Sequence, residues 1–368
     1  MNDCIYVGLD VHVQTVSMAT AGWDQEPVFV GTFPNKPAKI LEHLAALGDP
    51  AALRVCYEAG PTGYGLARML LAHHIACTVV APSLIPITPG RQVKTDRIDA
   101  LKLARLLRSG DLTAVVIPTP ELEAVRAVSR AREAIRRDTH RAMMRLVTFL
   151  RQRAIGEPTG TRWTKKWWRW LDELALPYQA DQIVLTQLAA QIRFLGTQNA
   201  SLVTALETTA GASASFGAGI DALQRMHGVG LITATGIVAE LGDLTRFATA
   251  PQLFAYAGLV PREHSSGGRQ KQGAITKTGN KHVRYLLVEA AWRIVRPFKP
   301  DTLTADDPIG QIAATARRRL HKRFWRLIAK GKNRNQAIVA IARELLGFLW
   351  SMACTVAAAP AAPAALAA

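Results

Sequence analysis

Ile5-Tyr-Val-Gly-Leu-Asp10 is a run of β-branched, aromatic and apolar residues that stops on a carboxylate. It reads as a buried strand that carries an acid at its end. Working outward, Thr15 to Thr20 is its hairpin partner and Val28 to Thr32 a third short strand. Ala38 to Leu47 has helical spacing, Leu53 to Tyr57 is a strand ending at Glu58, and Gly63 to His74 is a helix. Cys77 to Ala81 is another strand and Arg97 to Arg108 another helix. The order β-β-β-α-β-α-β-α describes an α/β domain with a mixed sheet, expected over residues 1–117.

Past Pro118 and Pro120, Glu121 to about Arg153 is a long Arg-rich helical pattern with no internal Gly or Pro. It predicts an exposed helix or a coiled-coil arm. After a break at Gly156 to Thr161, Arg162-Trp-Thr-Lys-Lys-Trp-Trp-Arg-Trp170 interleaves four tryptophans with four cations. Such a mixture either stacks on bases or docks a helix end on a core. Ala180 to Thr209 supplies a second helix, so residues 118–209 form the helical coiled-coil region. The small-residue stretch Ala210 to Gly219 opens a mainly helical C-terminal domain, residues 210–350. Within it Gly228-Val-Gly230 lies between two helical segments like a helix-hairpin-helix element, whose backbone N–H groups can grip phosphate. The Ala- and Pro-rich tail, counted as residues 351–368, is expected to be disordered.

The 368 residues hold 45 Lys and Arg against 28 Asp and Glu, a net charge of +17. Its distribution is uneven: −3 over residues 1–90, +11 over 91–170, −4 over 171–260 and +13 over 261–368. Alternating basic and mildly acidic blocks suit a protein that holds a polyanion along selected elements. Arg317, Arg318 and Arg319 head a cationic run that reaches Arg334 with no acid among its members, and they are assigned to that grip. Four dispersed cysteines without a C-x-x-C pair argue against a disulfide scaffold or a zinc site. The longest apolar run, Leu345 to Ala359, falls short of a bilayer span, and no leader precedes the first strand; the reading is a cytoplasmic protein without a membrane partner.

Four acids stand where chemistry could use them. Asp10 and Glu58 end strands, while Asp96 and Asp99, three apart at a helix start, share a face. Converging on one cleft, they would bind a divalent cation such as Mg²⁺, which favours carboxylate oxygen and suits phosphodiester chemistry. Arg91, Lys94 and Arg97 place cations beside them, where a phosphate needs them. The plainer alternative has Asp10 capping a turn and Asp96 capping its helix.

Tyr6-Val-Gly-Leu-Asp10, Tyr57-Glu58-Ala-Gly-Pro-Thr-Gly63 and Lys94-Thr-Asp96-Arg-Ile-Asp99-Ala resemble the Asp-Glu-Asp-Asp set of insertion-sequence transposases related to pilin-gene invertases. Phe254-Ala-Tyr-Ala-Gly-Leu-Val-Pro261 and Ser265-Ser-Gly-Gly-Arg-Gln-Lys-Gln-Gly-Ala-Ile-Thr-Lys-Thr-Gly-Asn280 resemble that family's C-terminal signature. The resemblance implies an RNase H-like N-terminal domain similar to Holliday-junction resolvases, and a serine nucleophile from the C-terminal domain. It also implies a bridge RNA that pairs with donor and target DNA, and homodimers that assemble to a tetramer. Ser266, followed by Gly267, is matched to the nucleophile, with Ser265 beside it. Arg269, Lys271, Lys277, Lys281 and Arg284 surround this segment with cations suited to positioning phosphates. Read without the resemblance, the Ser265 to Gly268 stretch is a flexible turn and Lys277 to Asn280 a helix cap. Two further functions stay open at this stage: a metal-dependent junction-resolving endonuclease with water as nucleophile, and a nucleic-acid-binding protein whose acids are structural.

Overall fold

Alternation of β-branched and small residues sets three strands at the start of the chain: β1 (Ile5–Val11), β2 (Thr15–Ala21) and β3 (Val28–Pro34). The structure, a computed structural model, describes residues 4–86, 95–213, 216–266, 269–297 and 307–358. It divides into two units, Met1–Pro118 and Thr119–Ala368. The first unit continues with α1 (Pro37–Ala45), β4 (Leu53–Glu58), α2 (Gly65–Ala72), β5 (Ala76–Val80) and α3 (Asp96–Ser109). Its strands form one mixed sheet in the order β3-β2-β1-β4-β5, antiparallel from β3 to β1 and parallel from β1 to β5. The expected succession of elements is thus the observed one.

The pleat gives each face its task. Val7, Leu9, Val55 and Tyr57, at most 1% exposed, share a core with Ile40 and Leu44 of α1 and Ala67 and Leu70 of α2. The alternate residues, Gly8 and Cys56, meet α3, where the Cys56 thiol donates to the Leu103 carbonyl oxygen at 3.5 Å. Asp10 and Glu58 follow in the same alternation on neighbouring strand ends, since Leu9 pairs with Tyr57. Both acids therefore belong to the face that α3 covers.

The second unit starts with α4 (Pro120–Gln152), α5 (Lys165–Glu173) and α6 (Gln179–Ala212). The two long helices run antiparallel: Arg153 pairs with Asp181 at 2.7 Å at one end, and Val125 packs with Leu206 at the other. At 1.5 Å per residue each is about 50 Å long. Trp167 and Leu171 of α5 are buried against Leu146, Leu150 and Leu185, so this part of the tryptophan segment is core. Next come α7 (Gly217–Gln224), α8 (Leu231–Leu241), α9 (Ala250–Tyr256), β6 (Pro261–Ser266), β7 (Arg269–Ile275), α10 (Lys281–Ile294), α11 (Pro308–Ala329) and α12 (Arg334–Ala358).

Three observations differ from the sequence reading. Helix α6 runs through residue 210 to Ala212, because alanine carries it past the expected break. Helix α12 runs through residue 351 to Ala358, so this stretch is helical rather than disordered; residues 359–368 lie outside the described residues. At 25 residues α12 is long and apolar enough to cross a bilayer, contrary to the shorter run expected. Its Ile338, Ile341, Leu345, Leu346, Leu349 and Met352 are at most 1% exposed inside the core of the second unit, and that packing accounts for its apolarity.

Ser265 and Ser266, which the alternative reading put in a flexible turn, belong to a β6–β7 hairpin with Ser266 paired to Arg269 at its far end, while Gly267 and Gly268 lie outside the described residues. The base of the hairpin is where the chain crosses itself: Lys277 N–H donates to the Gly258 carbonyl oxygen at 3.1 Å, and Thr276 N–H to that of Val260 at 2.9 Å. Gly258 and Gly279 both have positive φ, and a Cβ on either would stand 2.1–2.2 Å from the Thr278 or Tyr256 carbonyl oxygen. Only glycine fits such a crossing.

Helices α4, α8 and α10 are tied by one buried carboxylate. Glu240, whose side chain is 1% exposed, accepts from Arg130 at 2.6 and 2.8 Å and from the Asn280 amide at 2.5 Å. Burial alone would raise its pKa, but Arg130, Asn280 and Arg126 together hold it below the ordinary value. Glu240→Gln is expected to cost about 2 kcal/mol in chemical denaturation, the loss of a charged, desolvated acceptor. A carboxyl held low stabilises the fold above its unfolded pKa and ceases to as pH falls through the folded one. The gap between variant and parent should accordingly close with acidification; a constant gap would show that charge is not the cause.

Candidate active site

Asp10 is the last residue but one of β1, which ends at Val11, and the next residue on its face is His12, outside the strand. The His12 backbone is fixed by its N–H to the Thr15 carbonyl oxygen at 2.9 Å, and its carbonyl oxygen accepts from the Asn35 amide at 2.7 Å. From α3, Thr95 is the N-cap, its hydroxyl accepting from Ile98 N–H at 3.3 Å, so capping is not the task of Asp96. Asp96 and Asp99 occupy the first turn. His12 Nε2 lies 3.4 Å from Asp10 Oδ2 and 3.4 Å from Asp96 Oδ1. Asp10, His12 and Asp96 each offer one ligand atom, all within 4.8 Å of one another.

Burial raises the Asp10 pKa, His12 opposes the rise, and the Asp96 and Asp99 carboxylates add to it. The neighbouring Asp96 and Asp99 charges repel that of Asp10. Two carboxylates and an imidazole are donors that a divalent cation such as Mg²⁺ or Mn²⁺ accepts, the imidazole suiting the latter better. The donor set and the mutual repulsion both fit a cation. Asp99 acts on Asp10 electrostatically and Glu58 shares its sheet face, but neither belongs to the close group of three. The sequence reading missed His12; its signal was the i, i+2 spacing from Asp10 along a strand.

Arg97 is exposed, with its guanidinium 5.3 Å from the Phe29 ring centroid. Arg91 and Lys94 lie outside the described residues, and of Ser265, Ser266, Arg269 and Lys271 only the backbone is described. Gly267 also lies outside them. Lys277 and Lys281 are exposed. Arg284 is partly committed to the hairpin base, donating to the carbonyl oxygens of Ala257 at 3.0 Å and Thr278 at 2.6 Å.

Within the triple arginine run, the assignment of Arg317 needs correction, while Arg318 and Arg319 are exposed. Arg317 is 2% exposed and donates to the Arg296 carbonyl oxygen at 3.2 Å, which removes it from any surface that meets a polyanion. Arg319 faces Glu344 of α12 at 3.4 Å. The acid that faces this run, near Arg319 and Arg323, comes from α12.

Two family models match the chain. One, described as Transposase and of the DEDD type, covers residues 7–154; the other, described as Transposase IS116/IS110/IS902 family, covers residues 220–304. The chain is 37% identical over 363 residues to protein y4qE of Sinorhizobium fredii, covering 95% of this chain and 88% of that one. With the transposase for insertion sequence element IS1533 of Leptospira borgpetersenii it shares 27% identity over 339 residues, 89% of this chain and 98% of the relative. A pilin gene-inverting protein of Moraxella bovis is 33% identical over 125 residues, about a third of each chain (34% and 33%). Matched at both ends, and carrying its acids on one face of a mixed sheet, the chain belongs to the IS116/IS110/IS902 family of DEDD transposases, enzymes of DNA cleavage and rejoining.

Proposed function

We propose that this transposase moves an insertion sequence by cation-dependent strand cleavage at the Asp10 cluster, with Ser266 as nucleophile and a bound guide RNA pairing with donor and target DNA. The observation that carries the catalytic part is the convergence of Asp10, His12 and Asp96 within 4.8 Å. The sheet order β3-β2-β1-β4-β5, with acids on the α3 face, supports the RNase H-like reading of the first unit. Asp10 and Asp96, aided by His12, would hold the cation, with Asp99 and Glu58 adding negative charge around it. Such a cation neutralises charge developing on the scissile phosphate.

Ser266 ends its strand at the tip of the β6–β7 hairpin, which suits a nucleophile delivered on an extended element. Its Oγ attacks phosphorus, the bond to the 3′ oxygen breaks, and the serine proton ends on the released 3′-hydroxyl. DNA is left on serine as a 5′-phosphoester. A 3′-hydroxyl from the exchanged strand then attacks that ester and frees the serine, so bond energy is conserved and no nucleotide triphosphate is consumed. Cleavage by one protomer and strand exchange with another accord with a homodimer that assembles to a tetramer on DNA.

The test is a denaturing gel of protein incubated with its element's DNA end and Mg²⁺ or Mn²⁺. A DNA–protein adduct that Ser266→Ala abolishes and Ser265→Ala leaves supports the proposal; the reverse pattern moves the nucleophile by one residue. Cleavage by the parent without an adduct would favour a junction-resolving endonuclease using water. Sequencing RNA that copurifies with the protein tests the guide, and the absence of an element-encoded RNA would remove it from the proposal.

A further inference from the structure

Along one face of α4, three open clefts of about 480, 290 and 390 Å³ follow one another, Arg136 lining the first two and Thr139 and Met143 the last two. From Arg130 to Met143 the row spans roughly 20 Å of helix. All of it lies within the second unit.

One end is cationic. Arg130, Arg136 and Arg137 meet Lys281 and the half-buried Tyr285 of α10 there. Two carboxylates lie beneath them, Glu133 at 6% and Glu240 at 1% side-chain exposure. Arg136 forks onto Glu133 with two bonds of 2.9 Å, as Arg130 does onto Glu240, and Arg136 also lies 5.0 Å from the Tyr285 ring centroid. The acids thus sit at the floor and fix the guanidinium groups of side chains that stay 59% exposed at Arg130 and 37% at Arg136. Fixed arginines lose little side-chain entropy when they engage a phosphate.

The other end is aromatic. Trp163 and Trp168, both half-buried, line it, with the Arg193 guanidinium 4.8 Å from the Trp168 centroid. Trp163 takes a φ of 68°, a conformation rare for a bulky residue, and its ring sits 4.6 Å from that of the buried Trp167. Of the two readings of the tryptophan-rich segment, Trp167 follows the core one, while Trp163 and Trp168, packed partly against the same core, also line the opening.

Cations at one end of a trough and aromatic faces at the other match the backbone and the bases of an unpaired polynucleotide. We propose that this α4 trough is a binding site for a single-stranded segment of nucleic acid, its phosphates on the Arg136, Arg137 and Lys281 end and a base stacked at Trp168. The assignment rests on the chain acting on nucleic acid but is independent of how the acidic cluster cuts it.

The test is fluorescence anisotropy with the full chain and a labelled 12-nucleotide polypyrimidine probe, as RNA, as single-stranded DNA and as duplex DNA, with circular dichroism to confirm folding. Arg137→Gln with Lys281→Gln is expected to weaken single-strand binding about tenfold and to flatten the salt dependence by about 0.7 for each phosphate no longer neutralised. Trp168→Leu is expected to weaken it by about tenfold, the worth of one stacked base, with the salt slope unchanged. Duplex should bind more weakly than either single strand and be indifferent to Trp168→Leu. Tighter binding of RNA or of DNA names the source of the strand. Folded variants that bind the probe as the parent does would overturn the proposal, as would polyglutamate displacing it as well as unlabelled RNA. Because none of these readouts involves cleavage, failure here is distinct from failure of the acidic cluster.

Discussion

Asp10→Asn should leave a folded protein whose strand cleavage falls by roughly a thousandfold. The side chain is nearly isosteric, so β1 keeps its place in the sheet. What disappears is the charge that Asp10 contributes beside His12 and Asp96, 3.4 Å from the imidazole that both carboxylates approach. A second readout needs no substrate. Mn²⁺ at about a hundredfold excess over its Kd should stabilise the parent by about 2.7 kcal/mol, and the variant should show little of that gain. Without a cation, Asp10→Asn should be at least as stable as the parent, because burial and the Asp96 and Asp99 carboxylates all press on the Asp10 charge. Loss of cleavage together with loss of the Mn²⁺ response supports the cation site. Cleavage at parental rates would remove Asp10 from the chemistry.

How far the sequence discloses this site depends on the range of the interactions involved. The strands of the first unit are legible because Ile5-Tyr-Val and Val55-Cys-Tyr57 are apolar runs bounded by turn residues, a signal carried within a few positions. The convergence of Asp10 with Asp96 is suggested only by their places at element ends, since 86 residues of chain separation must fold before they meet. His12 was legible in principle but lies just past the strand, where a polar residue reads as turn. The β6–β7 hairpin is hidden for another reason. Arg-Glu-His-Ser-Ser and Arg-Gln-Lys-Gln carry no apolar alternation, and what holds their base is the contact of two glycine-bearing loops, Gly258 against Gly279. Arg317 misleads because its own helix lacks acids, while the carbonyl of Arg296 and the Glu344 near its neighbours come from elsewhere in the chain.

The sharpest expectation concerns a residue with no side chain. A methyl group on Gly8 would stand 2.4 Å from the Ala100 carbonyl oxygen, 2.4 Å from the Ala104 nitrogen and 2.9 Å from the Leu103 Cβ. Two of the three are backbone atoms of α3, so no rotamer change relieves the clash. The helix must retreat by roughly 1 Å to reach ordinary contact, and overpacking of this kind costs about 1–3 kcal/mol. That retreat carries Asp96 and Asp99 away from Asp10, and a displacement of this size around a reacting phosphate lowers rate by about a hundredfold. Gly8→Ala should therefore lose both stability and cleavage, and trimming Ala100 or Ala104 to glycine should not restore either, since their side chains are not what the methyl strikes. Gly65→Ala is the control: nothing lies within 4 Å of its Cβ position at the start of α2, and alanine there should be neutral or stabilise slightly. Denaturation curves and cleavage rates on the two variants separate a general cost of filling a glycine from the specific one. If Gly8→Ala matched Gly65→Ala in both, the close seating of α3 on β1 would not be what holds the acids together.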